Sequence, residues 1–568
     1  MRWIAISIRK NQRSQIFVPL NILLNAFKTT FSLYTRHGLR AGALVVLMTT
    51  LGGGARADQF ANPLDVRLAD PQVLYDNGVY YMYATSNIAG FKVWTSSDLV
   101  NWRDRGAAYR RTASTWGRNR FWAPEVIKYG STYYMFYGAG GAPNDVMRIC
   151  VASSASPLGP FIDIAAPLWD DGKSYIDAHV FIDSDGQRYL FASQDMSMPA
   201  DGNSHIVVAK LNASMTGLTT AITDCIVPSV SWEYAGNRWN EAPFVVKHGN
   251  YYYMLYSGNV YSSSNYAVGY ATATSPMGPW TKYSGNPVLK KATGVSGPGH
   301  CSVVKSPDGT EDWIVYHTHQ QASGGGERQL AIDRMRFVPP GSGPARLVVD
   351  GPTLTMQNAP SGTPSFPAGG SDEFNGNSLN RNRWLIFNEV SNQFNVTGGY
   401  LRITARDGDT HAASRADQEN IFLQYPPYED YEITTKVNFL PLQNYEQACL
   451  YVWQDHNNYI RFSNAWIGRR RWEMAVEKDA VFSSQQVNNS LGADAWFRIR
   501  KVGNTYTFWA APTGTTWSQV GSAVNVNLID RKVGLGATAG GSGRSVNALF
   551  DYFHVTPINT SVDDWAIY

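Results

Sequence analysis

Hydrophobic and polar positions alternate along this chain in short runs, and one such run returns five times. DPQVLYDNGVYYMYA begins at Asp70, APEVIKYGSTYYMFY at Ala123 and DAHVFIDSDGQRYLFA at Asp177. EAPFVVKHGNYYYMLY from Glu241 and HCSVVKSPDGTEDWIVY from His300 complete the series, at intervals of 53, 54, 64 and 59 residues. Each copy has one pivotal residue, two spacers, a Val or Phe, a turn and then an aromatic strand, which predicts a β-hairpin. Outer segments repeat as well. VASSASPLGPF (151–161) and YATATSPMGPW (270–280) share one pattern, and KVWTSSDLVNW (92–102) holds the same place in the first unit. AKLNASMTGLT serves the third unit, and ERQLAIDRMRF (327–337) closes the fifth.

Repeats of this length built from four short strands mark a propeller. Innermost strands of a propeller converge on one axis, so Asp70, Ala123, Asp177, Glu241 and His300 are expected around one point. Three carboxylates and a histidine meeting there read as a catalytic centre. After Phe337 the chain becomes rich in Pro, Gly and Ser through QNAPSGTPSFPAGGS (357–371), the composition of a linker. From DEFNGNSLNRNRW (372–384) to FDYFHV (550–555) short alternating strands return, the pattern of an antiparallel sandwich of jelly-roll type. No long amphipathic helix is legible beyond the N-terminus, so the fold class is all-β.

The first 57 residues stand apart: eight Lys or Arg and no acid. Their end runs from Arg36 and Arg40 through AGALVVLM (41–48) to Ala55-Arg56-Ala57, the order of a secretory leader cleaved before Asp58. The apolar run is too short to span a membrane as a helix. Without the leader, 40 basic residues face 45 acidic ones, and the remaining chain carries no basic patch that would suggest a nucleic-acid partner. The four cysteines, Cys150, Cys225, Cys301 and Cys449, show neither a CxxC nor a metal-ligand spacing and read as buried thiols. Aromatics make up 13% of the chain, which suits both sugar stacking and ordinary strand packing.

The segments ADPQV (69–73), FWAPEV (121–126), SYIDAHVF (174–181), NEAPF (240–244) and GPGHCSVV (297–304) together resemble glycoside hydrolase family 43 over residues 61–337. The segment 372–557 is similar to the concanavalin-like sandwich that follows the propeller in some members. Between the leader (1–57) and the linker (341–371) read from composition, the resemblance implies a five-bladed β-propeller catalytic domain (58–340), and after the linker a β-sandwich accessory domain (372–568). It implies inverting hydrolysis, with Asp70 as general base and Glu241 as general acid. Asp177 would orient the acid and keep its pKa raised by like-charge repulsion. Trp122 matches the pocket aromatic that stacks on sugar in subsite −1 or +1, and Arg328 the arginine that reaches sugar hydroxyls. His300 matches a residue at the pocket floor, in contact with substrate, water or a central Ca²⁺. Glu125 stays outside the catalytic set. Hydrolysis draws its nucleophile from water, so no cofactor is required, and Ca²⁺ enters only as a structural ion.

The expected substrates are plant cell-wall polysaccharides and their oligosaccharides (arabinan, arabinoxylan, xylo-oligosaccharides). The expected activity is exported α-L-arabinofuranosidase, with β-D-xylosidase as the alternative, and endo-arabinanase or a non-catalytic carbohydrate-binding propeller further off. Retaining fructan-cleaving propellers carry an Arg-Asp-Pro motif where this chain has Tyr175-Ile176-Asp177. The sandwich has two readings: polysaccharide binding through aromatics such as Trp453, Trp466 or Trp509, or packing on the propeller to shape the pocket rim.

Overall fold

Each of the five repeats folds into a four-stranded antiparallel sheet whose strands follow one another from axis to rim. The innermost strands are Ala69–Asp76, Gly117–Tyr129, Tyr175–Ile182, Asn240–His248 and Gly299–Lys305. The computed structural model describes residues 3–6, 16–19 and 58–558, apart from 87, 142–145, 196–199, 235–237, 322, 341, 367–368 and 412–416. The expected leader therefore lies outside the described residues, except for Trp3–Ile6 and Ile16–Pro19, two paired antiparallel strands. Among the described residues there is no α-helix, and no helix long and apolar enough to cross a membrane.

The propeller has no single core. Its apolar side chains gather in five seams, one between each pair of adjacent blades. Tyr83, Phe91, Phe121 and Tyr137 fill the first seam, and Trp94, Trp313, Val315 and Ile332 fill the one that closes the ring. Most of the aromatic content is thus strand packing. Two residues after the pivot in four of the five blades, polar side chains staple neighbouring blades. Gln72 exchanges two hydrogen bonds with the Val126 backbone, at 3.0 and 3.2 Å. Glu125 accepts the Val180 N–H (2.8 Å) and lies 2.8 Å from His179 Nδ1, while His179 Nε2 accepts the Val245 N–H (2.9 Å). Ser302 Oγ donates to Pro71 O (3.1 Å). Glu125 is thus fully engaged as a staple.

One boundary differs from expectation, and the ring closes through a segment outside the five repeats. Residues 62–68 do not begin the first blade but lie along the third strand of the fifth, Arg328–Val338. Asn62 bonds both backbone groups of Ile332 (2.7 and 3.0 Å), and the Leu64 N–H donates to Leu330 O (2.8 Å). This pairing closes the ring without a covalent link. The segment read as linker from 341 contains the outermost strand of the fifth blade, Arg346–Val349. Its Pro- and Gly-rich surroundings mask a four-residue strand, and the following Gln357–Asn358 pairs back onto Gln59–Phe60.

Residues beyond 371 form a concanavalin-like sandwich. A seven-stranded sheet, from Leu385–Phe387 to Val481–Asn488, faces a second sheet across a core that includes Leu450, Phe462, Phe497 and Phe508. The outer face of the seven-stranded sheet packs on the propeller. Trp453 Nε1 donates to Asp65 Oδ2 (2.5 Å), Tyr425 OH to Asn101 Oδ1 (3.0 Å) and Asn457 Nδ2 to Gln320 O (3.3 Å). Trp453 is fully buried here, so it belongs to the domain contact and not to a sugar platform; Trp466 and Trp509 are half-buried. The four cysteines are free thiols, with Cys225 the least buried.

In Glu125→Ala the Val180 N–H and the His179 ring lose their acceptor in a dry seam. Each buried donor left unpaired costs about 1–3 kcal/mol, so the urea midpoint is expected to fall with m unchanged. An unaltered midpoint would mean that the staple does not stabilise the fold.

Candidate active site

Each innermost strand carries a bulge, near its start in four blades and six residues in from the start in the second, and the residue at the bulge has positive φ: Asp70 (56°), Ala123 (44°), Asp177 (56°), Ala242 (55°) and His300 (47°). Such φ values cost roughly 1–2 kcal/mol for residues other than glycine. Recurrence in all five blades makes this bend the device that turns each side chain to the axis. A cavity of about 20 Å³, room for about one water, is lined by all five of these residues. The expected convergence on one point therefore holds at four positions, and the fourth blade departs from it. There the pivot is Ala242, and Glu241 stands one residue earlier, equivalent to Ala69, Trp122, Ile176 and Gly299. The proline after the pivot (Pro71, Pro124, Pro243) carries the true register in three blades. Glutamate's longer side chain still brings its carboxyl into the group: Glu241 and Asp177 repel one another, and the Ala242 N–H donates to Asp177 Oδ2 (3.1 Å).

Asp70 is surrounded by donors. Arg328 Nη1 donates to its Oδ1 at 3.0 Å, His300 Nδ1 lies 3.2 Å from the same oxygen, and its own N–H donates to His317 Nδ1 (3.1 Å). Burial opposes ionisation of Asp70, yet Arg328, His300 and His317 outweigh it and hold the carboxyl well below the usual range. The other two acids go the opposite way. Burial, then Glu241 and then Asp70 push Asp177 well above its ordinary value. Burial pushes Glu241 up to about 7, against two donors that favour its charged form, Tyr266 and Trp239. Tyr266 OH donates to Oε1 at 2.5 Å, and Trp239 Nε1 donates to Oε2. Like charge was expected to reach Glu241 from Asp177. Burial is the largest cause at Glu241, Asp70 adds to it, and the repulsion between Asp177 and Glu241 is mutual.

His300 has its pKa lowered by burial, against Asp70, which raises it. It sits between acids, 3.2 Å from Asp70 and 3.9 Å from Asp177. The donor set does not suit Ca²⁺, which takes six to eight oxygens: Asp70 already accepts a guanidinium on the oxygen nearest His300. Among the described residues, no three His, Cys, Asp or Glu side chains gather to hold a metal. Arg328 also lies over the Tyr261 ring, with Cζ 4.7 Å from its centre. Trp122 stands at the mouth, 38% exposed, beside Ala123.

Tyr266, Trp239 and His317 escaped the reading of the sequence. Trp239 is two residues before Glu241, the spacing that shares a strand face, and could have been found. Tyr266 and His317 could not, because they arrive from other strands. Their ring planes stack at 5.7 Å, and a Cβ on Gly299 would lie 2.0 Å from Tyr266 Cε1, which explains that glycine. The loop that presents Trp239 is anchored by buried Glu233, which accepts the Ser229 N–H (2.7 Å) and the Tyr256 hydroxyl (2.7 Å) and pairs with Lys282 (2.7 Å). Beside the site, a cavity of about 620 Å³ lies between propeller and sandwich. Ala69, Thr85 and Arg328 line one side, and 386–390, Asp417 and Glu419 the other.

One carboxylate held ionised, facing another held protonated near neutrality, can take a proton from water and deliver one to a leaving group. The model of glycosyl hydrolases family 43 matches residues 60–342, and that of the "Beta xylosidase C-terminal Concanavalin A-like domain" matches 371–556. A solved "thermostable family-43 glycoside hydrolase" is 44% identical, with a TM-score of 0.50, covering 53% of this chain and 99% of its own. A family 43 protein of Bacillus licheniformis shares the two-domain fold at 22% identity and a TM-score of 0.54, over 88% of this chain and 100% of its own. An "Extracellular exo-alpha-(1->5)-L-arabinofuranosidase" of Streptomyces avermitilis is 30% identical over 302 residues, 49% of this chain and 61% of that relative's length. By the match of its propeller and the covering of that solved relative, the chain belongs to glycosyl hydrolase family 43.

Proposed function

We propose that this protein is an exported exo-acting glycosidase that removes terminal α-L-arabinofuranosyl units from plant cell-wall polysaccharides or their oligosaccharides, with inversion. The observation that carries the reaction is the split among the acids: Asp70 held ionised by Arg328, and Glu241 held protonated by burial up to about 7. Asp70 acts as general base on a water, and Glu241 protonates the departing oxygen. Asp177, bonded to the Ala242 N–H, fixes the backbone that carries the acid. Trp239 and Tyr266 receive the carboxylate left once the proton has gone, which lowers the barrier to giving it up. His300 and Arg328 hold Asp70, and Trp122 offers an open aromatic face to a sugar ring. The named activity of the Streptomyces relative favours arabinofuranose, and its extracellular description favours export.

A second reading, β-D-xylosidase, rests on the sandwich, whose family model is that of β-xylosidases. Initial rates of residues 58–568 on aryl α-L-arabinofuranoside and aryl β-D-xyloside, side by side, separate the two. A bias to arabinofuranoside is expected, a bias to xyloside reverses the choice, and turnover of neither overturns the exo-glycosidase. The anomer formed first, followed by NMR, is expected to be inverted; retention removes Asp70 from the role of base.

Asp70→Asn and Glu241→Gln are each expected to lower kcat by about 10²–10⁴-fold. The loss in Glu241→Gln should shrink on substrates whose leaving group needs no proton, whereas that in Asp70→Asn should not. Equal losses on both substrate kinds would contradict the assignment.

Protonated Glu241 is the active form, so kcat/KM should fall as pH rises through about 7. The acid side should stay flat to low pH, because Asp70 remains charged. Tyr266→Phe removes a donor that favours the ionised acid, so the alkaline limb should move to higher pH; a limb that stays in place dissociates Tyr266 from the acid.

A further inference from the structure

The chain from Asp58 on is net acidic, yet Arg103, Arg105, Arg110, Arg111, Arg118 and Arg120 fall within one stretch whose single acid is Asp104. A basic patch was not expected. Averaging the charge over the chain hides it, because part of this stretch runs into the strand that carries Trp122 and the pivot Ala123. Strand Arg103–Arg110 ends the first blade, a turn closes at Thr112–Thr115, and strand Gly117–Tyr129 leads down to the pivot Ala123. That second strand is 13 residues long, against 7 to 9 for the other four innermost strands, so six of its residues precede the pivot, against one or two elsewhere. Within them Gly117 and Phe121 turn into the blade seam, while Arg118, Asn119 and Trp122 are exposed and Arg120 lies half-buried beside the Trp122 ring. On the neighbouring strand Gly140 and Gly138 pair with Asn119 and Trp122, so no side chain lies directly across from these two. Arg110, Arg111 and Arg118 are exposed, and none has an ion-pair partner among the described residues.

We propose that Arg118, with Arg110 and Arg111 across the turn, forms an anion-binding track that receives carboxylate-bearing sugars of an acidic polysaccharide and leads the chain to the mouth. The proposal rests on the glycosidase reading and names a substrate class for it: pentose-bearing polymers that also carry uronates. Guanidinium forks match carboxylates in a bidentate way. The track starts at an open tryptophan beside the pivot and rises roughly 10–13 Å along the strand, a span of a few sugar units. That continuity favours a glycan over other polyanions, for which a stacking face next to a catalytic pocket has no use.

The probe is glucuronoarabinoxylan, native and after chemical reduction of its carboxyls to alcohols, so that backbone and branches stay the same. The wild-type chain is expected to show a higher kcat/KM on the native polymer, and 0.5 M NaCl should erase the difference by screening. Arg111→Ser with Arg118→Ser should reduce the native-to-reduced ratio, by about fivefold at most per arginine. Arg111→Glu with Arg118→Glu should bring the ratio below one. A wild-type ratio of one at low salt overturns the track, as does a ratio that the charge reversals leave unchanged. Salt-sensitive binding to single-stranded DNA or anionic vesicles, without any preference between the two polymers, also overturns it. Aryl pentoside hydrolysis by the wild-type chain is measured alongside: its loss defeats the proposed function, whereas its presence with a ratio of one defeats the track alone.

Discussion

Five bends in the innermost strands carry this molecule. At each one, a residue other than glycine accepts positive φ so that its side chain leaves the sheet and meets the axis. Such a conformation is unfavourable in isolation and is held by its neighbours. The Ala123 N–H is taken by Thr85 Oγ1 (2.8 Å), the His300 N–H by Ser257 Oγ (2.8 Å), and the Ala242 N–H by Asp177. Without the bend, Asp70 and Asp177 would lie in the pleat of their strands, and the acids would not meet.

Bringing three carboxyls into a dry site raises an electrostatic problem that the fold resolves unevenly. A single guanidinium, Arg328, contacts Asp70, and among the described residues no Lys or Arg pairs with the other two. Burial and mutual repulsion then keep protons on Asp177 and Glu241. The same low dielectric that makes an ionised acid costly makes a bound proton available for transfer. The neutral donors Tyr266 and Trp239 temper this by favouring the carboxylate to a limited degree, so Glu241 comes to rest near neutrality instead of far above it.

The sandwich belongs to the same physical unit. Its seven-stranded sheet is covered on the outer face by propeller residues, through contacts such as Trp453 with Asp65, and it forms one wall of the cavity that opens beside Arg328. Arg103 of the first blade reaches Glu389 at 3.3 Å. Shaping the rim of the site is therefore a geometric consequence of where this sheet packs.

Much of this was legible in the order of residues. Alternation and a recurring frame determine five hairpins, their strand order and the two-domain plan, because hydrogen-bonded neighbours in a blade are neighbours in the chain. Asp70, Asp177 and His300 were legible as convergent for the same reason. The short strand Arg346–Val349 was hidden by its Pro- and Gly-rich flanks, and the slip at Glu241 came from counting from the acid, when Pro243 marks the pivot one residue later. The contacts that set the chemistry join residues far apart: Arg328 meets Asp70 across 258 positions, and Tyr266 meets Glu241 across 25. Local patterning determined where the acids stand. Only the closed ring decided which of them keeps its proton, because burial and charge–charge distance exist only after blades distant in sequence have packed together.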